Sequence, residues 1–209
     1  NGTVRSLAVS GGAVFAGGDF TKVGGAQRSN VAAIDLDAGL LPWKPNLDGV
    51  VLTLAVSGGV VYAGGGFTSV GGQTRNRLAA IDADGGLLPW NPNANGAITA
   101  LAVNDGVVYA GGGFNMIGDS WRYNLAAIDT DGGILPWNPG ANFSVYSLLG
   151  STVTVFAGGD FTSIGGVTQY YAIAGSTEPR NARNPGAFPF TSDEPETLRR
   201  ARAFTGAAT

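Results

Sequence analysis

The 209-residue chain has no cysteine, no histidine and one methionine. Without cysteine, disulfides, thiolate catalysis and zinc–thiolate sites are excluded together, and the redox compartment stays open. Without histidine, the usual general base near neutral pH and the commonest metal ligand are both missing. Charge is scarce: only 13% of residues are ionisable Asp, Glu, Lys or Arg, and the formal net charge is -3. Lys and Arg do not cluster within the body of the chain, so a surface for tracking phosphates is missing and nucleic acid is excluded as a partner. No apolar run approaches the roughly 18 residues that would carry a helix across a bilayer, and no membrane insertion is expected. A chain beginning Asn1-Gly2-Thr3, without Met or a charged-then-apolar leader, is expected of a mature product, a cloned segment or a fragment.

What the chain has in abundance is glycine, at 35 positions, beside an apolar content of 44% that can fill a core. That balance belongs to turn-rich all-β proteins rather than to disordered ones. One phrase returns four times at a spacing of 47 residues: AGGDF from Ala16, AGGGF from Ala63, AGGGF from Ala110 and AGGDF from Ala157. A fixed period of this size means stacked copies of one supersecondary unit.

Each unit opens with a short run that is small or apolar on both faces, Val4 to Val9, Val51 to Val56, Ile98 to Val103 and Val145 to Leu149. Such a strand needs cover on both sides, which suits the inner strand of a sheet held between neighbours. Turns rich in Gly, Ser, Asn and Asp follow, for example Ser10-Gly11-Gly12 and Asn104-Asp105-Gly106. The second strand carries one aromatic per unit (Phe15, Tyr62, Tyr109, Phe156) and ends in a glycine pair, the mark of a bulge or a close backbone approach. A glycine-bearing loop such as Thr21 to Gly25 leads to a third strand, Val31 to Asp35, Leu78 to Asp82 and Leu125 to Asp129. The fourth is short and contains proline (Leu40 to Trp43, Leu87 to Trp90, Ile134 to Trp137), which places it at the sheet edge, outermost.

Four strands per 47 residues, inner to outer, describe a propeller blade. The predicted fold is all-β: a β-propeller of four four-stranded blades at about 1–48, 49–95, 96–142 and 143–190, with a short tail at 191–209. A β-solenoid is the competing architecture, but its coils are usually shorter and lack the inner-to-outer gradient. Blade four departs from the pattern. Its third strand is expected at Tyr170 to Ala174 without the terminal Asp, and Gly186-Ala187-Phe188-Pro189-Phe190 stands where the Gly-Leu-Leu-Pro-Trp phrase would fall after a six-residue insertion. In the tail, Ser192-Asp193-Glu194-Pro195 before Glu196 to Phe204 fits an N-capped helix or a frayed end alike.

Over Val61 to Gly96, VYAGGGFTSVGGQTRNRLAAIDADGGLLPWNPNANG, the chain resembles the bacterial delta-60-repeat propellers, whose units carry a similar GG-x-FTSVGG phrase, an R-N-x-LA and an Asp-Gly turn. The resemblance covers about residues 1–175 and brings no catalytic motif. It implies a propeller, an extracellular or cell-surface setting, and four units that can belong to a longer array. The Trp-Asn-Pro-Asn form here departs from the Asp-Pro-Thr-Phe ending common in that family.

The candidate sites each have a structural reading beside the functional one. Trp43, Trp90 and Trp137, once per blade and followed by Asn91 and Asn138 in the second and third, could stack on sugars while the amides take hydroxyls; alternatively each indole packs between outer strands. Asp35 and Asp37, Asp82 and Asp84, and Asp129 and Asp131 have the spacing that opens a calcium loop but lack its closing ligand, and Asp before Gly is ordinary turn chemistry. Arg28, Arg75 and Arg122, at a constant place before the third strand, are expected to bond loop carbonyls or an Asp. Asp19 and Asp160 replace the glycines of the middle blades, and they could pair as in a glycosidase if blades one and four meet. Asn1-Gly2-Thr3 and Asn142-Phe143-Ser144 match glycosylation acceptors, a pattern common by chance.

The reading that follows is a non-enzymatic extracellular or cell-surface propeller, a structural or adhesive module whose partners are other protein chains or further copies of itself, with no cofactor. The alternative is a carbohydrate-binding propeller using the Trp series, and behind it a hydrolase using Asp19 and Asp160. Four blades can close alone, pair as halves of a larger ring, or form part of a longer chain.

Overall fold

A computed structural model of the chain describes residues 1–151, 154–168 and 173–176. All fall within one compact unit, Asn1–Pro179. Blade one consists of β1 (Val4–Ser10), β2 (Ala13–Gly18), the small hairpin β3 (Lys22–Val23) and β4 (Ala26–Gln27), and β5 (Val31–Asp35). Blade two repeats it as β6 (Val51–Ser57), β7 (Val60–Gly65), β8 (Ser69–Val70), β9 (Gln73–Thr74) and β10 (Leu78–Ile81). Blade three is β11 (Ile98–Asn104), β12 (Val107–Gly112), β13 (Met116–Ile117), β14 (Ser120–Trp121) and β15 (Leu125–Asp129). Blade four is β16 (Val145–Gly150), β17 (Thr154–Gly159), β18 (Ser163–Ile164), β19 (Val167–Thr168) and β20 (Ile173–Ser176).

In every blade the long strands pair antiparallel with the aromatic-bearing one in the middle: β1-β2-β5, β6-β7-β10, β11-β12-β15 and β16-β17-β20. The fourth strand is reduced to one bridge, Ile34 to Leu40, Ile81 to Leu87 and Ile128 to Ile134, plus one backbone bond such as Leu41 N–H to the Ala33 carbonyl at 2.9 Å. Pro42, Pro89 and Pro136 follow at once and have no N–H to extend the ladder. Blade four's third strand, expected at Tyr170 to Ala174, is described at Ile173–Ser176, and residues 170–172 lie outside the described residues. There Thr154 faces Ser176 as Val107 faces Asp129, so the 47-residue period holds through the ladder. The Gly186 to Phe190 phrase and the 191–209 tail lie outside the described residues.

The first strands stand side by side around the hub, β1 by β6, β6 by β11 and β11 by β16. Hydroxyls join them: Leu54 N–H donates to Ser6 Oγ at 2.9 Å, and Leu101 N–H to Thr53 Oγ1 at 3.1 Å. The core lies between blades rather than within them. Phe15, Trp43, Val51, Leu54 and Phe67 form one cluster between blades one and two, and Tyr62, Trp90, Ile98, Leu101 and Phe114 its counterpart between two and three.

The glycine pair does two jobs. A Cβ on Gly17 would come within 2.6 Å of Val51 Cγ1 in the next blade, so this glycine lets neighbouring sheets approach. A Cβ on Gly18 would strike the Thr3 carbonyl, because a register shift between Val4 and Ser6 pushes the first strand against it. The segment expected as a loop, Thr21 to Gly25, forms the first strand and turn of a small hairpin that closes at Ala26–Gln27. In the later blades the preceding linker bridges to that hairpin, Leu47 to Val70, Ala94 to Ile117 and Ala141 to Ile164.

Blade one breaks the expectation that inner strands are covered on both faces. Val4, Leu7 and Val9 are exposed, with no sheet against them among the described residues, whereas Val51, Ile98 and Val145 in the place matching Val4 are buried.

Candidate functional site

The tryptophans are placed by the blade edge and closed off by it. Each meets the aromatic of its own second strand edge-on: Trp43 on Phe15 at 5.1 Å, Trp90 on Tyr62 at 5.2 Å and Trp137 on Tyr109 at 5.4 Å between ring centroids. The indole N–H of Trp43 donates to the Asp82 carbonyl at 3.0 Å, and that of Trp90 to the Asp129 carbonyl at 2.9 Å, each in the following blade. Trp90 is 3% exposed and Trp43 4%, so neither offers a ring face to a sugar; Trp137 is half-buried. Of the two readings of this series, packing describes Trp43 and Trp90, whose rings rivet one blade to the next, while Trp137 packs between blades three and four with part of its surface open. Asn91 and Asn138 are exposed beside them, Asn91 next to a covered ring and Asn138 next to a half-buried one.

The aspartate pairs before glycine build turns. Asp35 Oδ1 accepts from the amides of Asp37 and Gly39, Asp82 Oδ1 from Asp84 and Gly86, and Asp129 Oδ1 from Asp131 and Gly133, all within 3.0 Å. One carboxylate oxygen of each turn is thus committed to its own backbone. Among the described residues no group of three or more Asp, Glu, His or Cys is placed to hold a metal ion. Arg28, Arg75 and Arg122 donate to carbonyls, as expected for that place: Nη2 to Leu41, Leu88 and Leu135, tying the third strand's approach to the outer segment.

Asp19 and Asp160 are each engaged within their own blade. Asp19 accepts from the Thr3 amide at 2.6 Å and from Arg5 Nη2 at 2.8 Å, and these donors hold its carboxyl below the ordinary range. Asp160 accepts from the Tyr146 hydroxyl at 2.6 Å, a bond that pushes the phenol pKa upward. The two aspartates belong to the first and fourth blades, and among the described residues no contact joins them.

Asn1, Asp48, Asn95 and Asn142 share one place in the linkers and one task. Each side-chain oxygen accepts two backbone amides just after the phenylalanine, for example Thr162 and Ser163 on Asn142 Oδ1. The amide nitrogens of Asn1 and Asn142, the atoms a glycan would use, donate to Thr21 Oγ1 and Thr162 Oγ1 at 2.9 Å. Asp48 is the one carboxylate in the set. Burial opposes its charge, yet the Thr68 hydroxyl and the Thr68 and Ser69 amides prevail and bring its pKa from 3.8 to about 2.

Two features at the surface escaped the sequence reading. A cleft of about 480 Å³ opens between blades two and three beside the hairpin turns, lined by Tyr62, Leu88, Pro89, Val103 and Asp131 among others. At the opposite, linker end of blade three, Trp121 and Tyr123 stack with centroids 6.1 Å apart and planes at 24°. They are 56% and 52% exposed. The Ala141 amide donates to the Tyr123 carbonyl at 2.9 Å, which brings the linker with exposed Phe143 to the same end. The signal was available in the repeat: the matching places hold Gln27 and Ser29 in blade one, and Thr74 and Asn76 in blade two.

A family model described as outer membrane protein assembly factor BamB (PQQ_2) matches residues 27–178. The chain belongs to this PQQ_2 family. The repeat is thereby of the propeller type, in agreement with the sheets described above. Comparison with curated proteins gives no match. Among solved structures, the PQQ_2 chain is similar to the computationally designed protein Ika4, with 22% identity and a TM-score of 0.52, over 81% of this chain and 91% of that one. It is similar also to the computationally designed Ika8, with 21% identity and a TM-score of 0.52, over 77% of this chain and 44% of that one. At such identities the likeness speaks of the fold alone.

Proposed function

We propose that this propeller is a non-enzymatic, extracellular or cell-surface module that holds other protein chains, and that the Trp121–Tyr123 pair at the linker end is where it holds them. The observation that carries the reading is the break in the repeat. Two large aromatics stand exposed and stacked where blades one and two carry polar residues, while Trp43 and Trp90 are spent on packing. Exposed aromatics are enriched at protein interfaces because they supply large apolar area with few torsions to freeze. The family description, which names assembly of outer membrane proteins, supports protein chains as the class of partner. The delta-60 likeness supports the extracellular setting and the adhesive role.

Side-by-side arrays of extended peptides and of glycans, probed with the full chain and with a Trp121→Ser/Tyr123→Ser variant, test the site. Peptide binding that the variant loses is expected. Glycan binding lost by the same variant would replace the protein-holding reading with a carbohydrate one. Turnover of a glycoside that disappears in Asp19→Asn/Asp160→Asn would overturn the non-enzymatic assignment. Protease accessibility on intact expressing cells checks the location.

A further inference from the structure

We infer that two copies of this chain close head to tail into one ring, the leading face of blade one in each copy seated on the trailing face of blade four in the other. The inference concerns assembly and stands whatever the Trp121–Tyr123 pair binds.

Inside the chain, every blade junction is made the same way. The first apolar residue of the later blade enters the space left by a glycine of the earlier one: Val51 over Gly17 and Ile98 over Gly64, each reaching within 2.6 Å of a Cβ built there, and Val145 over Gly111, within 2.7 Å. Val4 and Gly158 are the two members of this series without a counterpart among the described residues. Val4 is 53% exposed, against 0% for Val51, Ile98 and Val145. Gly158 pairs with Ser147 as Gly111 pairs with Ala100, so it occupies the receiving position of blade four. The leading face of blade one carries Val4, Leu7 and Val9 where the buried junction face of blade two carries Val51, Leu54 and Val56. Nothing in its chemistry marks it as an end cap.

The trailing face of blade four is equally uncovered among the described residues. Phe156 is 39% exposed, whereas Tyr109 in the same place in blade three is 4% exposed, and Leu149 is exposed beside it. The hydroxyl that joins neighbouring inner strands is also present. Ser147 stands where Ser6 and Thr53 accept the amides of Leu54 and Leu101, and it would accept the amide of the partner copy's Leu7 in the same way. One face therefore carries the knobs, and the other the slot and the aromatic, of a junction already built three times within the chain, together with the hydroxyl that two of the three use. A head-to-tail contact between unlike faces generates a ring if its rotation closes. Propellers typically have about 4–8 blades, so two copies of four reach the top of that range and three would exceed it.

The test uses the full chain. Light scattering or native mass spectrometry over a dilution series is expected to give the mass of two chains. Leu7→Glu and Phe156→Glu, each at one exposed face, are expected to give folded monomers by circular dichroism, and an equimolar mixture of the two restores dimer through the one junction left intact. Because the protein has no cysteine, Val4→Cys/Gly158→Cys reports the contact directly: oxidation is expected to give a covalent dimer. A disulfide within one chain, which would mean that four blades close alone, overturns the inference. So does a wild-type monomer at every concentration, as expected if the residues beyond 176 or a further repeat occupy these faces, and so do open-ended polymers.

Discussion

Val51 fills the space that Gly17 leaves empty. Its Cγ1 stands 2.6 Å from where a Cβ on Gly17 would lie, closer than real Cβ contacts, so that absent carbon sets the spacing of blades one and two. Gly17→Ala is expected to cost about 1–3 kcal/mol, the usual effect of overpacking a close-fitted core. Val51→Ala should cost less in the Gly17→Ala background than in the wild type, because the smaller side chain relieves the crowding. Urea denaturation of the four members of the cycle measures this, and additive effects would show that the two residues do not share a space.

Trp90 tests the rivet role. Trp90→Phe removes the indole N–H that the Asp129 carbonyl accepts and leaves that acceptor short of a partner, at an expected cost of about 1–3 kcal/mol. Trp121→Phe, on an exposed ring, should change stability by no more than about 0.5 kcal/mol. Equal losses in thermal melts would refute the distinction between packing and surface tryptophans.

Arg77 occupies the left-handed region with φ at 65°, and the matching residues in blades one and three are Asn30 at 66° and Asn124 at 62°. All three side chains donate to a linker carbonyl, Leu47 for Asn30, Ala94 for Arg77 and Ala141 for Asn124. Asparagine tolerates this backbone better than arginine does, so Arg77→Asn keeps the bond and is expected to gain about 1 kcal/mol. A lower melting temperature would argue against it.

Asp48 makes stability depend on acid. Its folded pKa of about 2 lies below the ordinary 3.8, so the folded state binds the proton more weakly than the unfolded one. The contribution is complete above about pH 4 and drains away as the pH falls toward about 2. Asp48→Asn should behave like Asn142, which accepts the same two amides while its nitrogen donates to the threonine hydroxyl. Near-neutral stability at pH 7 with a flatter acid limb is expected, and an unchanged acid limb would assign that limb to other carboxylates.

Much of the architecture was legible because it is written four times. The period, the inner strand, the bulged glycine pair and the proline-bearing edge follow from local chemistry that recurs at fixed spacing, and β10 and β15 fall where that spacing places them. The site was not legible in the same way. Attention to what repeats led to Trp43 and Trp90, which the blade edges bury, and to half-buried Trp137, and away from Trp121, which has no aromatic counterpart in any other blade, and its neighbour Tyr123. The small hairpins were missed since two-residue strands leave no periodicity to read.

The sequence by itself determined the blade, since alternation, turn glycines and prolines act over a few residues and need no knowledge of what lies across the gap. Only the tertiary structure decided which apolar faces are covered, because burial depends on whether another sheet is there to meet them. Val4 and Val51 share a residue type and a place in the repeat, yet one is exposed and the other lies beneath its neighbour.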